Sequence, residues 1–360
     1  MTNDSVGAAE ASTFAMLCCA NGAEKQVVSD LERDRWRRAF SRPGFVTVKK
    51  DQPSAELPEG TFIRTAAYSI GHSRSPDAST QIQSLIELLR SRYPHGIEFD
   101  ELHVWPRDRL PIGKFAFEPG QDEVSRLVAD EIYQALEKDW LRCDAPNRIA
   151  EPDARCLDIV LVDPSDWFVG HHRAGDWHQR WPGGVQPIDP QYEPISRAYY
   201  KAAESITWSG FDFAPGDLVV EVGSAPGGAC GRLLELGMRV IGIDPADMDP
   251  RIADHPKFKH LRARAGDLPR KEFRGVRWLL ADSNVKPEKT LVTIENIVKH
   301  PVCEIEGLLL TMKLGHYEVS RHIPNWIKRI QTWNPADIRI RQLARNRCEV
   351  CLAIRLKPDR

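Results

Sequence analysis

The amino-acid sequence predicts two α/β domains: a smaller mixed fold, then a doubly wound, mainly parallel sheet. Three observations carry this. A chain of 360 residues is long enough for two cores, at roughly 100–200 residues per domain. From Ser196 onward, helical and strand-like periods alternate to the C-terminus, the pattern of a mainly parallel sheet. Ahead of it, residues 163–194 are rich in proline, glycine and aromatics and follow neither period, which marks a linker or a functional loop. The expected divisions are a domain over 1–165, a linker or loop over 166–194 and a domain over 195–360.

Composition narrows the function classes. Apolar residues are 42% and charged residues 28% of the chain, unlike disordered, collagen-like or membrane-embedded sequences. The formal charge of −2 hides an asymmetry: 22 basic against 30 acidic residues through Asp189, then 27 against 21 from Pro190. The halves stand at −8 and +6, so a polyanionic partner suits the second. The opening MTNDSVGAAEASTFAMLCCA has no basic segment and a short apolar patch, a poor secretory signal. No apolar run reaches the ~20 residues of a membrane helix. The eight cysteines are scattered, and Cys348 and Cys351 lie in a strand-like run where i and i+3 face opposite ways. His171, His172 and His178 match no metal spacing, so no metal is expected. A reducing cytoplasm fits best, and a monomer is expected.

In the first domain, residues 14–19 read as a strand and 24–40 as a helix with a charged outer face. Residues 45–48 and 61–65 read as strands. A helix over 82–92 is stopped by Pro94, and a strand follows around 99–104. Residues 122–141 have the period of an amphipathic helix and 156–162 that of a buried strand. The stretch over 167–181 mixes Trp167, Phe168, Trp177 and Trp181 with histidines and arginines. Such a surface either stacks unpaired bases or plugs the space between domains.

The second domain opens with a helix after Ser196. The apolar strand from Leu218 then runs into the turn Gly223-Ser224-Ala225-Pro226-Gly227-Gly228, and a helix over 229–236 is closed by Gly237. A second strand over 239–244 ends on Asp244. In a βαβ unit of this kind, a Rossmann-like one, the turn glycines let a ligand approach the backbone, and an acid at the second strand tip accepts from ribose hydroxyls. The turn is not GxGxxG, and Pro226 removes a donor where a pyrophosphate cradle needs one. A nucleoside without phosphates, such as S-adenosylmethionine, fits better than a dinucleotide. Four polar residues surround this unit. Lys201 opens the preceding helix, Asp282 and Lys313 end apolar strands, and Glu349 lies in the last strand. The carboxyl ends of parallel strands line the ligand crevice.

Ser196-Arg-Ala-x-x-Lys201, the Gly-x-Ala-Pro-Gly-Gly turn, Asp244 with Met248-Asp-Pro250, and the spaced Asp, Lys and Glu resemble the FtsJ-type ribose 2′-O-methyltransferases, most closely the branch that acts on large-subunit ribosomal RNA. The resemblance covers residues 196–355. It implies S-adenosylmethionine as cofactor, RNA as substrate and a catalytic tetrad at Lys201, Asp282, Lys313 and Glu349. It also implies cofactor contacts at Ser196, Gly223, Ser224, Ala225, Pro226, Gly227, Gly228, Asp244, Asp267 and Asp282. Upstream, Leu17-Cys-Cys-Ala-Asn-Gly-Ala-Glu-Lys25 resembles the segment that precedes a THUMP RNA-binding domain in that branch. The chain departs from the family at Ala229, where tryptophan is common, at Ser283-Asn284, and in the Leu-Gly-His-Tyr run after Lys313.

For methyl transfer to a hydroxyl, Lys313 serves as base if Lys201 tunes its pKa down. Arginine clusters at 262–277 and 339–347 suit RNA phosphates. A methyltransferase for a non-RNA substrate, an NAD-dependent oxidoreductase, and a non-enzymatic RNA-binding or assembly factor retaining the fold are the competing readings.

Overall fold

A computed structural model of the chain describes residues 12–75, 77–136, 139–175 and 177–357. Most of the opening segment read as a poor secretory signal lies outside them, as do residues 137 and 138 of the helix expected over 122–141. The chain divides into two compact units, Met1–Pro187 and Ile188–Arg360.

The first unit is built on a seven-stranded sheet. Its strands are β1 (Ser12–Cys18), β2 (Arg37–Arg42), β3 (Phe45–Ser54), β4 (Thr65–Arg74), β5 (Glu101–Pro106), β6 (Arg155–Asp163) and β7 (Asp166–Arg173), in the order β2-β3-β1-β4-β7-β6-β5. Among the described strands of this unit, only β5 and β6 pair in parallel. The helices are α1 (Glu24–Leu31), α2 (Ala78–Arg92) and α3 (Glu123–Leu136). Leu85, Leu89, Ala129, Ile132 and Leu136 of α2 and α3 are buried with Leu102, Val104, Leu157 and Ile159 of the sheet. The side chain of Asp77 caps α2 by accepting from the Thr80 amide.

Three expectations change here. The helix expected over 24–40 stops early, because Arg35 adopts a left-handed conformation (φ 62°) and Trp36 turns into the core. Residues Arg37–Arg42 then pair with β3 across the Pro43-Gly44 turn. A run with charges at most positions satisfies either period, so an exposed hairpin strand looks like an exposed helix face. The strand expected over 61–65 instead begins at Thr65 and runs to Arg74. The third change concerns 163–194, where Asp166–Arg173 is an inner strand between β4 and β6. Its aliphatic signal is masked by Gly170, His171 and His172. A Cβ on Gly170 would sit 2.6 Å from both Met16 Cε and the Tyr68 carbonyl oxygen, so only glycine fits there. The first unit therefore runs past the expected boundary at 165 to Pro187.

A buried ion pair ties this unit together. The Arg64 guanidinium donates twice to the Asp108 carboxylate, at 2.7 Å each, and its Nε donates to the Gly183 carbonyl at 2.9 Å. The two side chains are 4% and 1% exposed. Removing the cation leaves a buried carboxylate with no counter-charge. Arg64→Met should therefore destabilise the chain by about 3–5 kcal/mol in urea unfolding. A loss under about 1 kcal/mol would contradict the assignment.

The second unit contains β8 (Leu218–Val222), β9 (Arg239–Ile243), β10 (Phe258–Leu261), β11 (Trp278–Ala281), β12 (Gly307–Lys313), β13 (Pro335–Arg341) and β14 (Glu349–Leu356), ordered β10-β9-β8-β11-β12-β14-β13. The first five run parallel, β14 is antiparallel to β12, and β13, antiparallel to β14, runs in the direction of the first five, as expected for a mainly parallel sheet. Helices α4 (Ala198–Ser209), α5 (Gly228–Glu235), α6 (Pro250–Ala253), α7 (Pro287–Val298) and α8 (Ile323–Gln331) complete it. Val219, Leu233, Trp278, Leu280 and Leu309 belong to its buried core. The chain winds outward from β8 through β9 to β10, then crosses to β11 on the other side of β8. The carboxyl ends of β8 and β11 thus form the switch point where such sheets bind ligands. Among the described residues, no helix is long and apolar enough to cross a membrane.

Candidate active site

The site is assembled by strand ends. β11 pairs with β8 on one side and β12 on the other, so Ala281 lies beside Val222 and Leu310, and Asp282 emerges at the carboxyl edge. The Asp282 amide donates to the Val222 carbonyl at 3.1 Å, which fixes where its side chain leaves the sheet. In the antiparallel β12–β14 pair, Lys313 stands directly opposite Glu349, a favourable cross-strand pair of opposite charge. Helix α4, leading into β8, supplies Lys201.

These four side chains close an alternating ring. Lys201 Nζ lies 2.5 Å from Asp282 Oδ2 and 2.7 Å from Glu349 Oε1. Lys313 Nζ lies 2.5 Å from Asp282 Oδ1 and 2.6 Å from Glu349 Oε2. The contact to Asp282 Oδ1 is a charge contact that lacks hydrogen-bond alignment, whereas Glu349 Oε2 is a true acceptor. The side chains are between 7% and 24% exposed. Sequence reasoning had named all four, and the structure brings all four together.

The electrostatics reverse one expectation. Burial alone would lower the Lys313 pKa, but the Asp282 and Glu349 carboxylates push it well above the ordinary lysine range. Lys201 therefore does not tune Lys313 down; two carboxylates within hydrogen-bonding distance outweigh one neighbouring cation. Burial likewise opposes charge on Asp282, yet the two ammoniums hold its carboxyl below the usual range. In this form the ring carries two positive and two negative charges.

A cavity of about 430 Å³ opens beside the glycine-rich turn, lined by Gly223, Asp244, Asp267 and Ser283 among others. Gly223 has φ 84°, and a Cβ there would lie 2.8 Å from Ser283 Cα, so the turn requires glycine. A Cβ on Gly228 would collide with the Ser196 hydroxyl, which places Ser196 against the start of α5. The Asp244 carboxylate accepts from the Ala225 amide at 3.3 Å and from the Ala246 amide at 2.8 Å. It organises the turn while keeping lone pairs for a ligand. Pro226 is exposed and Gly227 buried. The buried Ser224 hydroxyl donates to Met248 Sδ at 3.6 Å, so its side chain turns inward and its backbone is what it can offer a ligand.

Two buried acids were missed. Glu204, one turn along α4 from Lys201, accepts from the Ala344 and Arg345 amides at 2.7 and 2.9 Å, and so ties α4 to the loop leading into β14. Glu221 sits in the apolar strand Leu218–Val222, 1% exposed, and accepts from the Cys230 thiol at 2.8 Å. An acid in the middle of a buried strand was the available signal. Burial pushes its pKa up to about 8, and the charges of Asp282 and Asp244 push the same way.

The arginine clusters divide. Arg277 pairs with Asp212, Asp217 and Glu306, and Arg339 with Asp337 and the carbonyls ending α4. Arg264, Lys271, Arg274 and Arg347 are exposed, with Arg264 at the cavity. In the first unit Trp181 is 3% exposed, which removes it from any base-stacking surface, while Trp177 is 44% exposed with the Arg180 guanidinium 4.4 Å from its ring centroid.

Residues 194–311 match the family model described as FtsJ-like methyltransferase. The ribosomal RNA large subunit methyltransferase M of Azotobacter vinelandii is 32% identical over 152 residues, covering 39% of this chain and 42% of that protein. The protein of the same name from Pseudomonas savastanoi is 28% identical over 266 residues, covering 64% and 72%. The chain spans about half the length of the first curated relatives it matches. Among solved structures, the Methanococcus jannaschii fibrillarin pre-rRNA processing protein is 10% identical, covers 56% of this chain and 84% of that one, and has a TM-score of 0.36.

Glu221 yields a pH test. Its folded pKa, about 8, lies above the ordinary 4.5, so the neutral form is favoured by folding. That stability is fully present below the unfolded value and is lost as pH rises through about 8. Thermal or urea unfolding of Glu221→Gln should lose less stability than the parent between pH 5 and 8, by up to about 1.4 kcal/mol per pH unit. Parallel stability curves would contradict a neutral Glu221.

Proposed function

We propose that this chain transfers a methyl group from S-adenosylmethionine to a ribose 2′-hydroxyl of RNA, with ribosomal RNA as the substrate class. The observation that carries the reading is the alternating Lys201–Asp282–Lys313–Glu349 ring at the switch point of the sheet, next to the Gly223 and Asp244 cavity. The FtsJ-like match over residues 194–311 and the names of the curated relatives support the same substrate class.

The residues present fit the cofactor. The cavity at the turn would hold its nucleoside, Gly223 would admit it against the backbone, and Asp244 would offer carboxylate lone pairs to the ribose hydroxyls. When bound, the cofactor supplies a methyl on a positively charged sulfur. Asp282 places negative charge at the edge of that site and orients both ammoniums. As the ribose hydroxyl takes up the methyl it must lose its proton, and this chain's residues would supply the acceptor. Lys313 is the acceptor in its neutral form. Its resting ammonium is held by Asp282 and Glu349, so the active fraction grows as pH rises. Glu349 and Asp282 hold Lys313 in place, and Lys201, bound to the same two carboxylates, orients them and balances their charge. The exposed Arg264, Lys271, Arg274 and Arg347 bind RNA phosphates, which makes binding salt-dependent. A THUMP-like role in RNA binding for the first unit and a cytoplasmic setting belong to this reading. Eight free cysteines support the latter.

Lys313→Ala should abolish methyl transfer to ribosomal RNA while changing cofactor affinity less than about threefold, under 1 kcal/mol. Normal turnover by that variant would end the base assignment. Single-turnover rates of the parent should rise with pH, by about tenfold per unit between pH 7 and 9, since only the neutral lysine is active. A flat profile would contradict this. Asp244→Ala should weaken cofactor binding by about tenfold or more, the worth of a hydrogen bond to a charged group. Calorimetry showing unchanged affinity would remove Asp244 from the ribose site.

A further inference from the structure

In the first unit, three adjacent strands turn a set of metal-ligating side chains towards one another. His103 lies on β5, Cys156 and Asp158 on β6, and His172 on β7. His103 stands beside Asp158 in the parallel pair, and Cys156 opposite His172 in the antiparallel pair. Cys156 and Asp158, two residues apart, share one face of β6. All four residues are at most 1% exposed. One ligand atom each from His103, Cys156 and His172 lies within 4.8 Å of the others.

The hydrogen bonds around the cluster orient it. His103 Nε2 is 3.0 Å from the Arg148 carbonyl, and His172 Nε2 is 2.7 Å from the Gln179 carbonyl. A carbonyl only accepts, so in each ring Nε2 carries the proton. For a neutral imidazole the Nδ1 lone pair is then free for a metal, with the outer N–H anchored to the backbone as metal-bound histidines require. His172 Nδ1 approaches Asp158 Oδ2 at 2.5 Å. Two atoms are left over: His103 Nδ1 and Asp158 Oδ1 are buried without a hydrogen-bond partner and face each other at 3.9 Å. A buried polar atom in that state is costly, and here two of them point into the same space. The Cys156 thiol lies 3.8 Å from the Ala154 carbonyl and also interacts with the His172 ring opposite it. Around Cys156 the cluster is sealed by Ala150 and Ala174.

We propose that His103, Cys156, Asp158 and His172 bind a structural zinc ion. Two imidazoles, one thiolate and one carboxylate form a four-ligand set of the type zinc takes tetrahedrally. The charge balances: a thiolate and a carboxylate offset the two positive charges of the ion, so the buried site is neutral overall, as a dry interior requires. Binding satisfies both orphan atoms at once. The His103, Cys156 and His172 ligand atoms, within 4.8 Å of one another, draw in, while the 2.5 Å contact between His172 Nδ1 and Asp158 Oδ2 opens, to reach metal bonds of about 2.0–2.3 Å. The thiol proton, and any proton on His172 Nδ1, is released to solvent. The ion pins β5, β6 and β7, the strands at one edge of the sheet, and is taken up as the unit folds. The residues are dispersed along the chain, which is why spacing alone led to the expectation of no metal. The proposal is independent of the methyl-transfer reading.

The test is the metal content of the full chain, grown in zinc-supplemented medium and freed of any histidine tag. Elemental mass spectrometry should find about one zinc per chain. Refolding with cobalt(II) alone should give the absorption of a tetrahedral site with a thiolate ligand. His103→Gln and Cys156→Ser should each lower zinc affinity at least about tenfold, since losing a ligand costs no less than losing one of its outer-shell partners. If those variants do not fold, the parent's zinc content and cobalt spectrum still decide. The proposal is overturned if the folded parent holds less than about 0.1 zinc per chain and its melting temperature is unmoved by added zinc. It is also overturned if the variants keep the parent's zinc affinity.

Discussion

The second unit depends on an alternating ring of four charges. Each edge joins opposite signs and each diagonal joins like signs, so the ring is stable only while all four members are present. Taking away one lysine leaves two carboxylates sharing one cation, and taking away one carboxylate leaves two ammoniums facing each other. Strand register sets the geometry, with Lys313 opposite Glu349 and Asp282 one residue beyond Ala281. Glu221 lies behind the ring as a neutral acid, which spares the site a third negative charge. Glu204 holds α4, and with it Lys201, against the loop that leads into β14.

The ring also explains a feature that a list of residues does not convey. Lysine is a useful base only when its proton can leave, yet in this arrangement the carboxylates retain it. At rest the four charges of the ring cancel. The same carboxylates that position the ammonium thus restrain its chemistry.

Much of the second unit was legible in the sequence because its signals are local. An apolar strand, a glycine turn, a short helix and a strand ending in Asp244 sit within thirty residues or so, and each follows one period. The tetrad was legible through the family resemblance, although only the fold shows that Lys201 touches both acids. The inward direction of the Ser224 hydroxyl was not legible, because a turn's side-chain directions depend on the strand behind it. In the first unit the signals are non-local. The strand β7 is disguised by Gly170, His171 and His172, whose burial makes sense only beside Met16, Asp158 and Cys156. β2 is disguised by charge, since an exposed edge strand of arginines carries no apolar stripe. Polar residues satisfied across strands leave no periodic trace.

The central claim is that the ring carries methyl transfer to a ribose hydroxyl. It is tested most directly by mapping 2′-O-methyl positions in ribosomal RNA from cells with and without this gene, complemented by the parent or by Glu349→Gln. A defined 2′-O-methyl site should be lost without the gene, return with the parent and stay absent with Glu349→Gln. An unchanged set of 2′-O-methyl positions in all four samples would contradict it.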